Sequence, residues 1–212
     1  MNYIYFLSDI FLNLDKHLAL LASDYGTFIY FILFFVIFIE TGIVVFPFLP
    51  GDSLLFAAGA ISAIGTMNPI FLFVFLSFSA IIGNTVNYSA GKYFRKKIRE
   101  NGETLGFIKK EHLDKTNEFY KKYGNKTIFI TRFFPIVRTI APFVAGLADM
   151  ERSKFMFWNS IGGISWTALF IFGGYFFGNI PMVKENLSLA MMGIIFLSVL
   201  PGIIGVNKSF KE

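Results

Sequence analysis

The chain has 212 residues, of which 55% are hydrophobic and 16% charged, with 29 phenylalanines and a mean hydropathy of +0.61. A soluble domain of this length cannot hide so much aromatic and aliphatic surface, so the composition points to one integral membrane domain, residues 1–212, with no appended soluble domain. Cysteine is absent, which excludes disulfide and thiol chemistry, and the two histidines, His17 and His112, are too few for a His-rich metal cluster. No cofactor is expected.

The net charge of +5 is unevenly spread. From Lys92 to Lys126 there are eleven Lys/Arg and five acids, a local net of +6. Basic loops stay on the cytoplasmic face of a membrane. No base-reading motif accompanies these charges, so the expected partners are anionic lipid headgroups rather than nucleic acid. The start, MNYIYFLSDIF, lacks a basic n-region and does not resemble a cleaved signal peptide.

Residues 1–22 mix apolar residues with Asp9, Asp15, Lys16 and His17, and read as an interfacial helix, a tilted span being the alternative. The apolar run 28–46 is just long enough to span, but Pro47, Pro50 and Gly51 interrupt it, and 52–65 is too short to cross. Residues 28–65 therefore read as a re-entrant hairpin. Asn68-Pro69 is a cap-then-proline start for a span over 69–94. Gly83, Asn87 and Gly91 share one face of it, where small residues permit close packing. Residues 95–126 form a cytoplasmic basic amphipathic segment, with one or two surface helices expected over 107–126. Residues 127–150 re-enter hydrocarbon, broken at Pro135 and Pro142 and closed by Gly146. They read as a second hairpin or as a full span, the motif favouring the hairpin. Residues 155–178 are a further span, with Trp158, Trp166 and Tyr175 as interface anchors, and 187–207 a last one. Lys208 and Lys211 place the C-terminus in the cytoplasm.

The expected fold is thus an all-α integral membrane protein with two opposed re-entrant hairpins in an inverted-repeat arrangement. A short internal echo supports this: Phe46-Pro47 through Ala58-Gly59 matches Phe134-Pro135 through Ala145-Gly146. Transporters often pair such repeats, with broken helices meeting at the midplane.

Charges flank both breaks. Glu40 and Asp52 bracket the first, and Arg132 and Arg138 bracket Pro135 in the second. Ionisable groups in hydrocarbon face a protein interior or an aqueous path, and proline breaks belong where freed backbone groups find partners. One acidic and one basic broken segment suggest an ion-coupled carrier of an anionic substrate. Arginine suits bidentate phosphate contact. A carboxylate balanced between burial and a neighbouring arginine can load and release a proton. An ion-pair lock between the arginines and Glu40 and Asp52 would use the same residues, and Asp52 could alternatively cap the helix that follows it.

These strings resemble the DedA family. Glu40 with Phe46-Pro47-Phe48-Leu49-Pro50-Gly51-Asp52-Ser53-Leu54-Leu55 resembles its first signature. Arg132-Phe133-Phe134-Pro135-Ile136-Val137-Arg138 with Ala141-Pro142-Phe143-Val144-Ala145-Gly146 resembles its second. Gly83-Asn84, Tyr88 and Gly91-Lys92 resemble a third, and the resemblance runs from about residue 10 to residue 207. Thr131 stands where the family often has glycine, and Asn84 and Lys92 stand where it often has aspartate and arginine.

The resemblance implies two opposed re-entrant hairpins and a multi-pass protein of the bacterial cytoplasmic membrane. It also implies lipid translocation, with undecaprenyl phosphate or phosphatidylethanolamine as substrate and a proton or sodium ion as the coupling partner. Arg132 and Arg138 are then the phosphate-binding candidates, Glu40 and Asp52 the coupling candidates, and Asn84, Asn87, Tyr88 and Lys92 secondary polar candidates. The oligomeric state is open. The rival classes are a non-transporting membrane scaffold and a membrane lipid phosphatase. A phosphatase would want a nucleophile and base, and His17 and His112 lie outside the hydrocarbon segments with no such constellation beside them.

Overall fold

Asn68 opens the longest helix as its sequence predicts. Its Oδ1 accepts from the backbone N–H groups of Ile70 and Phe71, both at 3.0 Å, and Pro69 takes the first helical position, where a missing N–H does no harm. The computed structural model describes residues 20–21, 25–43, 51–101, 104–105, 108–109 and 124–180. Among the described residues six helices follow in chain order: α1 (Phe28–Gly42), α2 (Gly51–Ala63), α3 (Pro69–Asn101), α4 (Thr127–Thr131), α5 (Pro135–Leu147) and α6 (Arg152–Gly178). Two strands of two residues, β1 (Thr104–Leu105) and β2 (Ile108–Lys109), pair antiparallel with Thr104 opposite Lys109. The helical expectation for 107–126 therefore fails at Ile108 and Lys109. The interfacial helix of 1–22, the breakers Pro47 and Pro50, the span 187–207 and most of 95–126 lie outside the described residues.

α3 as far as Ile98 and the whole of α6, 30 and 27 residues, are long and apolar enough to cross a bilayer. α2 and α5 have 13 residues each, about 20 Å at 1.5 Å per residue, and are too short to span alone. The protein is an all-α multi-pass membrane protein built on the two long helices.

The chain divides into two compact units, one from Met1–Val36, Pro50–Ser77 and Trp166–Glu212, the other from Ile37–Leu49 and Phe78–Ser165. In the first, α2 is buried on all sides from Gly51 to Ser62, Asp52 and two serines included. Glycines let it approach α6 backbone to backbone. A Cβ on Gly59 would overlap the Ile171 carbonyl, and one on Gly174 would overlap the Phe56 carbonyl. Ser77 and Thr167 share a hydrogen bond between α3 and α6, and Tyr30 of α1 meets Phe71 edge to face at 4.9 Å.

In the second unit α5 approaches α3 in the same manner. A Cβ on Gly91 would overlap the Phe143 carbonyl, and one on Gly146 the Tyr88 carbonyl. Phe56 and Gly59 thus do in α2 what Phe143 and Gly146 do in α5, with Gly174 and Gly91 as the facing glycines. The face predicted for Gly83, Asn87 and Gly91 is the packed one: Gly83 backs onto Thr41 and Phe38 of α1. Tyr88 stacks on Phe155 at 4.1 Å and donates its hydroxyl to the Met150 carbonyl, which ties α3 to the entrance of α6.

The second break falls where proline dictates. Pro135 cannot continue α4, and Phe134 before it is extended (φ −113°, ψ 107°), as a residue preceding proline prefers. Pro142, expected as a second break, does not interrupt α5, which runs on to Leu147. α5 ends in a Schellman turn: the Met150 N–H bonds the Ala145 carbonyl and the Asp149 N–H the Gly146 carbonyl. Asp149 occupies the left-handed position at φ 57°, where glycine is usual.

Candidate functional site

Glu40 lies near the end of α1, one turn after Ile37, and is fully buried. Its Oε1 accepts from Arg138 Nη2 in a buried ion pair joining α1 to the first turns of α5. Leaving either charge alone in that interior would cost several kcal/mol, so each is the condition for the other's burial. Thr41 and Thr139, the next residues along the chain, are bridged by Asn87 of α3, whose Nδ2 donates to the Thr41 carbonyl at 3.2 Å and the Thr139 carbonyl at 2.7 Å. The Asn87 amide therefore holds the backbone on both sides of the ion pair at a fixed separation.

Arg132 stands at the break itself, as the C-cap of α4, and is 3% exposed. It lies within electrostatic reach of both Arg138 and Glu40. Its Nη1 donates to Asn159 Oδ1 of α6 at 2.9 Å, and Asn159 Nδ2 donates in turn to the Ile81 carbonyl of α3 at 3.0 Å. Asn84 borders the same guanidinium. Its Nδ2 donates to Asn159 Oδ1 at 3.0 Å, so that one amide oxygen receives both Asn84 and Arg132. Two arginines, one acid and three asparagines thus converge inside apolar helices.

Asp52 belongs to the other unit. It sits in the first turn of α2. It is 8% exposed, and its Oδ1 accepts from Trp166 Nε1 at 2.9 Å. Trp166, expected as an interface anchor, is buried with its indole committed to this carboxylate. Tyr88 is committed to packing and to Met150. Lys92, half-exposed, joins Arg95 around Asp149, with Nζ to Oδ1 at 3.6 Å and Nε to Oδ2 at 3.7 Å. Arg95 Nη1 also donates to the Leu147 carbonyl.

Asn159 was not legible from sequence. It reads as one polar residue in a greasy span, and only its closeness to Arg132 gives it meaning. The described residues hold no group of three or more His, Cys, Asp or Glu that could bind a metal ion.

The chain matches the family model described as VTT domain over residues 49–176. It is 50% identical to Protein DedA of Escherichia coli K12, with 98% of this chain and 95% of that protein covered. It is 36% identical to an uncharacterised membrane protein of Mycobacterium leprae (84% and 79% covered) and 29% identical to the inner membrane protein YqjA of E. coli K12 (90% of each). No solved structure matches it. On this likeness, together with its two long apolar helices, the chain belongs to the DedA/VTT family of multi-pass inner-membrane proteins.

Proposed function

We propose that this protein is a lipid transporter that carries a phosphate-headed lipid, a polyprenyl monophosphate such as undecaprenyl phosphate, across the membrane, driven by a proton or sodium gradient. The observation that carries the reading is the buried Glu40–Arg138 pair with Arg132 close by. A structural lock needs one cation for one acid, whereas here a second arginine is brought into the same apolar interior. Arriving phosphate competes with Glu40 for Arg138 while Arg132 supplies a second planar donor set. Glu40, released from Arg138, then takes up a proton or a sodium ion, so that anion and cation enter the site together. Asp52, also buried, is the second coupling candidate.

Two further features support a carrier. α2 and α5 are too short to span and repeat the same Phe-x-x-Gly contact with a long helix, as two re-entrant hairpins in an inverted repeat would. The break at Pro135 also places Arg132 and Arg138 on either side of an irregular backbone, the usual position for ligand groups at membrane depth. The Glu40 carboxylate beside arginines favours one second reading, a zwitterionic headgroup such as phosphatidylethanolamine, whose ammonium would replace Arg138.

Liposomes reconstituted with the purified protein test this. Labelled polyprenyl monophosphate and labelled phosphatidylethanolamine are each followed for change of leaflet, with and without an imposed pH or sodium gradient. Gradient-stimulated movement of the polyprenyl lipid is expected. Movement of phosphatidylethanolamine alone replaces the substrate with the second reading, and movement of neither lipid defeats the carrier.

A further inference from the structure

We propose that Asn159, Gly162 and Gly163 form a neutral cradle that aims the Arg132 guanidinium at the headgroup and preserves its charge. This rests on the reading of Arg132 as a phosphate ligand. The three residues lie at i, i+3 and i+4 on α6 and so share one face. The Arg132 side chain lies along that face. A Cβ on Gly162 would come within 3.2 Å of Arg132 Cδ, and one on Gly163 within 3.3 Å of Nη2. The stem crosses one glycine and the fork lies over the next, each closer than a Cβ ordinarily sits, and a Cβ on Gly163 would meet Ile81 Cγ1 closer still, at 2.8 Å.

Asn159 fixes the remaining freedom. It is fully buried, and its Nδ2 donates to the Ile81 carbonyl. A carbonyl accepts only from the nitrogen end of an amide, so this bond forces Oδ1 toward Arg132 Nη1, which it receives at 2.9 Å. An amide oxygen orients a guanidinium by dipole alone. A carboxylate at the same place would orient it equally well and cancel its charge, competing with a phosphate for the same donors. Asn159 is therefore a positioning residue whose neutrality sets the preference for an anionic headgroup.

The test compares two lipids with one tail. Equilibrium binding of labelled polyprenyl monophosphate and of the uncharged polyprenol is measured on the full-length protein in phosphatidylcholine nanodiscs, for wild type, Asn159→Asp, Gly163→Ala and Arg132→Gln. Misfolding weakens both ligands together, whereas loss of the presented charge weakens only the phosphate. Asn159→Asp is expected to raise Kd for the monophosphate roughly tenfold or more with polyprenol unchanged, as a full ion pair replaces a neutral contact. Gly163→Ala crowds both Ile81 Cγ1 and the Arg132 fork without adding charge. It is expected to raise Kd for the monophosphate selectively by a smaller factor, and it decides the matter if Asn159→Asp does not fold. A wild-type preference for the monophosphate that Arg132→Gln abolishes and the folded cradle variants retain overturns the cradle alone. A wild type with no preference for the monophosphate, or a folded Arg132→Gln protein that keeps the wild-type preference, overturns the assignment of Arg132 and the cradle with it.

Discussion

Glu40 and Arg138, 98 positions apart in the chain, meet as a buried ion pair between α1 and α5, both with side chains under a tenth exposed. Neither is compatible with its own helix in apolar surroundings, and each is tolerated because the fold delivers the other. Glu40→Gln and Arg138→Gln are expected to destabilise the protein by about 3–5 kcal/mol each, because each strands a buried charge. The double replacement is expected to recover part of that loss. Thermal unfolding of the three variants in detergent gives the coupling. Additive effects with no recovery would mean the pair contributes no mutual stabilisation.

Arg132→Lys and Arg138→Lys keep the charge and lose the planar fork. If both guanidiniums hold phosphate, each variant is expected to lose about tenfold or more in headgroup affinity while the folded fraction stays near wild type. Binding of labelled polyprenyl monophosphate measures this. Unchanged affinity in both folded variants would leave the arginines with a structural role only.

Glu40→Gln mimics the protonated acid. It is expected to abolish stimulation of lipid movement by a pH gradient, with headgroup binding retained through the arginines. Flux into liposomes, with and without the gradient, measures it, and stimulation equal to wild type removes Glu40 from coupling.

Gly173 and Gly174 are neighbours on α6 with opposite expectations. A Cβ on Gly174 meets the Phe56 backbone, whereas one on Gly173 finds only Phe56 Cε2 at 4.0 Å. Gly174→Ala is expected to destabilise by about 1–3 kcal/mol. Gly173→Ala is expected to be neutral or to stabilise by up to about 1 kcal/mol through helix propensity. Gly146→Ala should behave as Gly174→Ala does. Melting temperatures that rank Gly173→Ala as the more damaging would contradict the close approach of α2 to α6.

Asp149 violates two local preferences at once. It holds a left-handed position better suited to glycine, and it places an acid at a helix C-terminus, where the dipole favours a cation. Its ion pairs with Lys92 and Arg95 are long, and its carboxylate is half-exposed, so they return little. Asp149→Gly is expected to leave stability unchanged or raise it by up to about 1 kcal/mol, while Asp149→Val lowers it by about 1–2 kcal/mol. Thermal melts of the two variants give the order, and the reverse order would show the ion pairs to dominate.

Hydrophobic run length and composition pointed to a membrane protein and placed α6 to within three residues, while α3 runs on past the predicted end at 94 to Asn101. A stretch of that length and apolarity matches the thickness of a bilayer's hydrocarbon core. Proline chemistry alone located the break before Pro135, and Asn68-Pro69 located the start of α3. Pro142 misled because one missing N–H inside a helix is tolerable when surrounding packing holds the helix, and neighbouring sequence does not reveal that packing. The charged residues were legible as candidates because charge in hydrocarbon demands a reason, but their partners were not. Glu40 meets Arg138 and Asp52 meets Trp166 across separations of about a hundred residues, which only the tertiary fold brings together. Asn159, Gly162 and Gly163 were invisible for the same reason. A lone amide and two glycines in a span carry no signal until a guanidinium is laid across them, and the contact that gives them meaning comes from Arg132 on another helix.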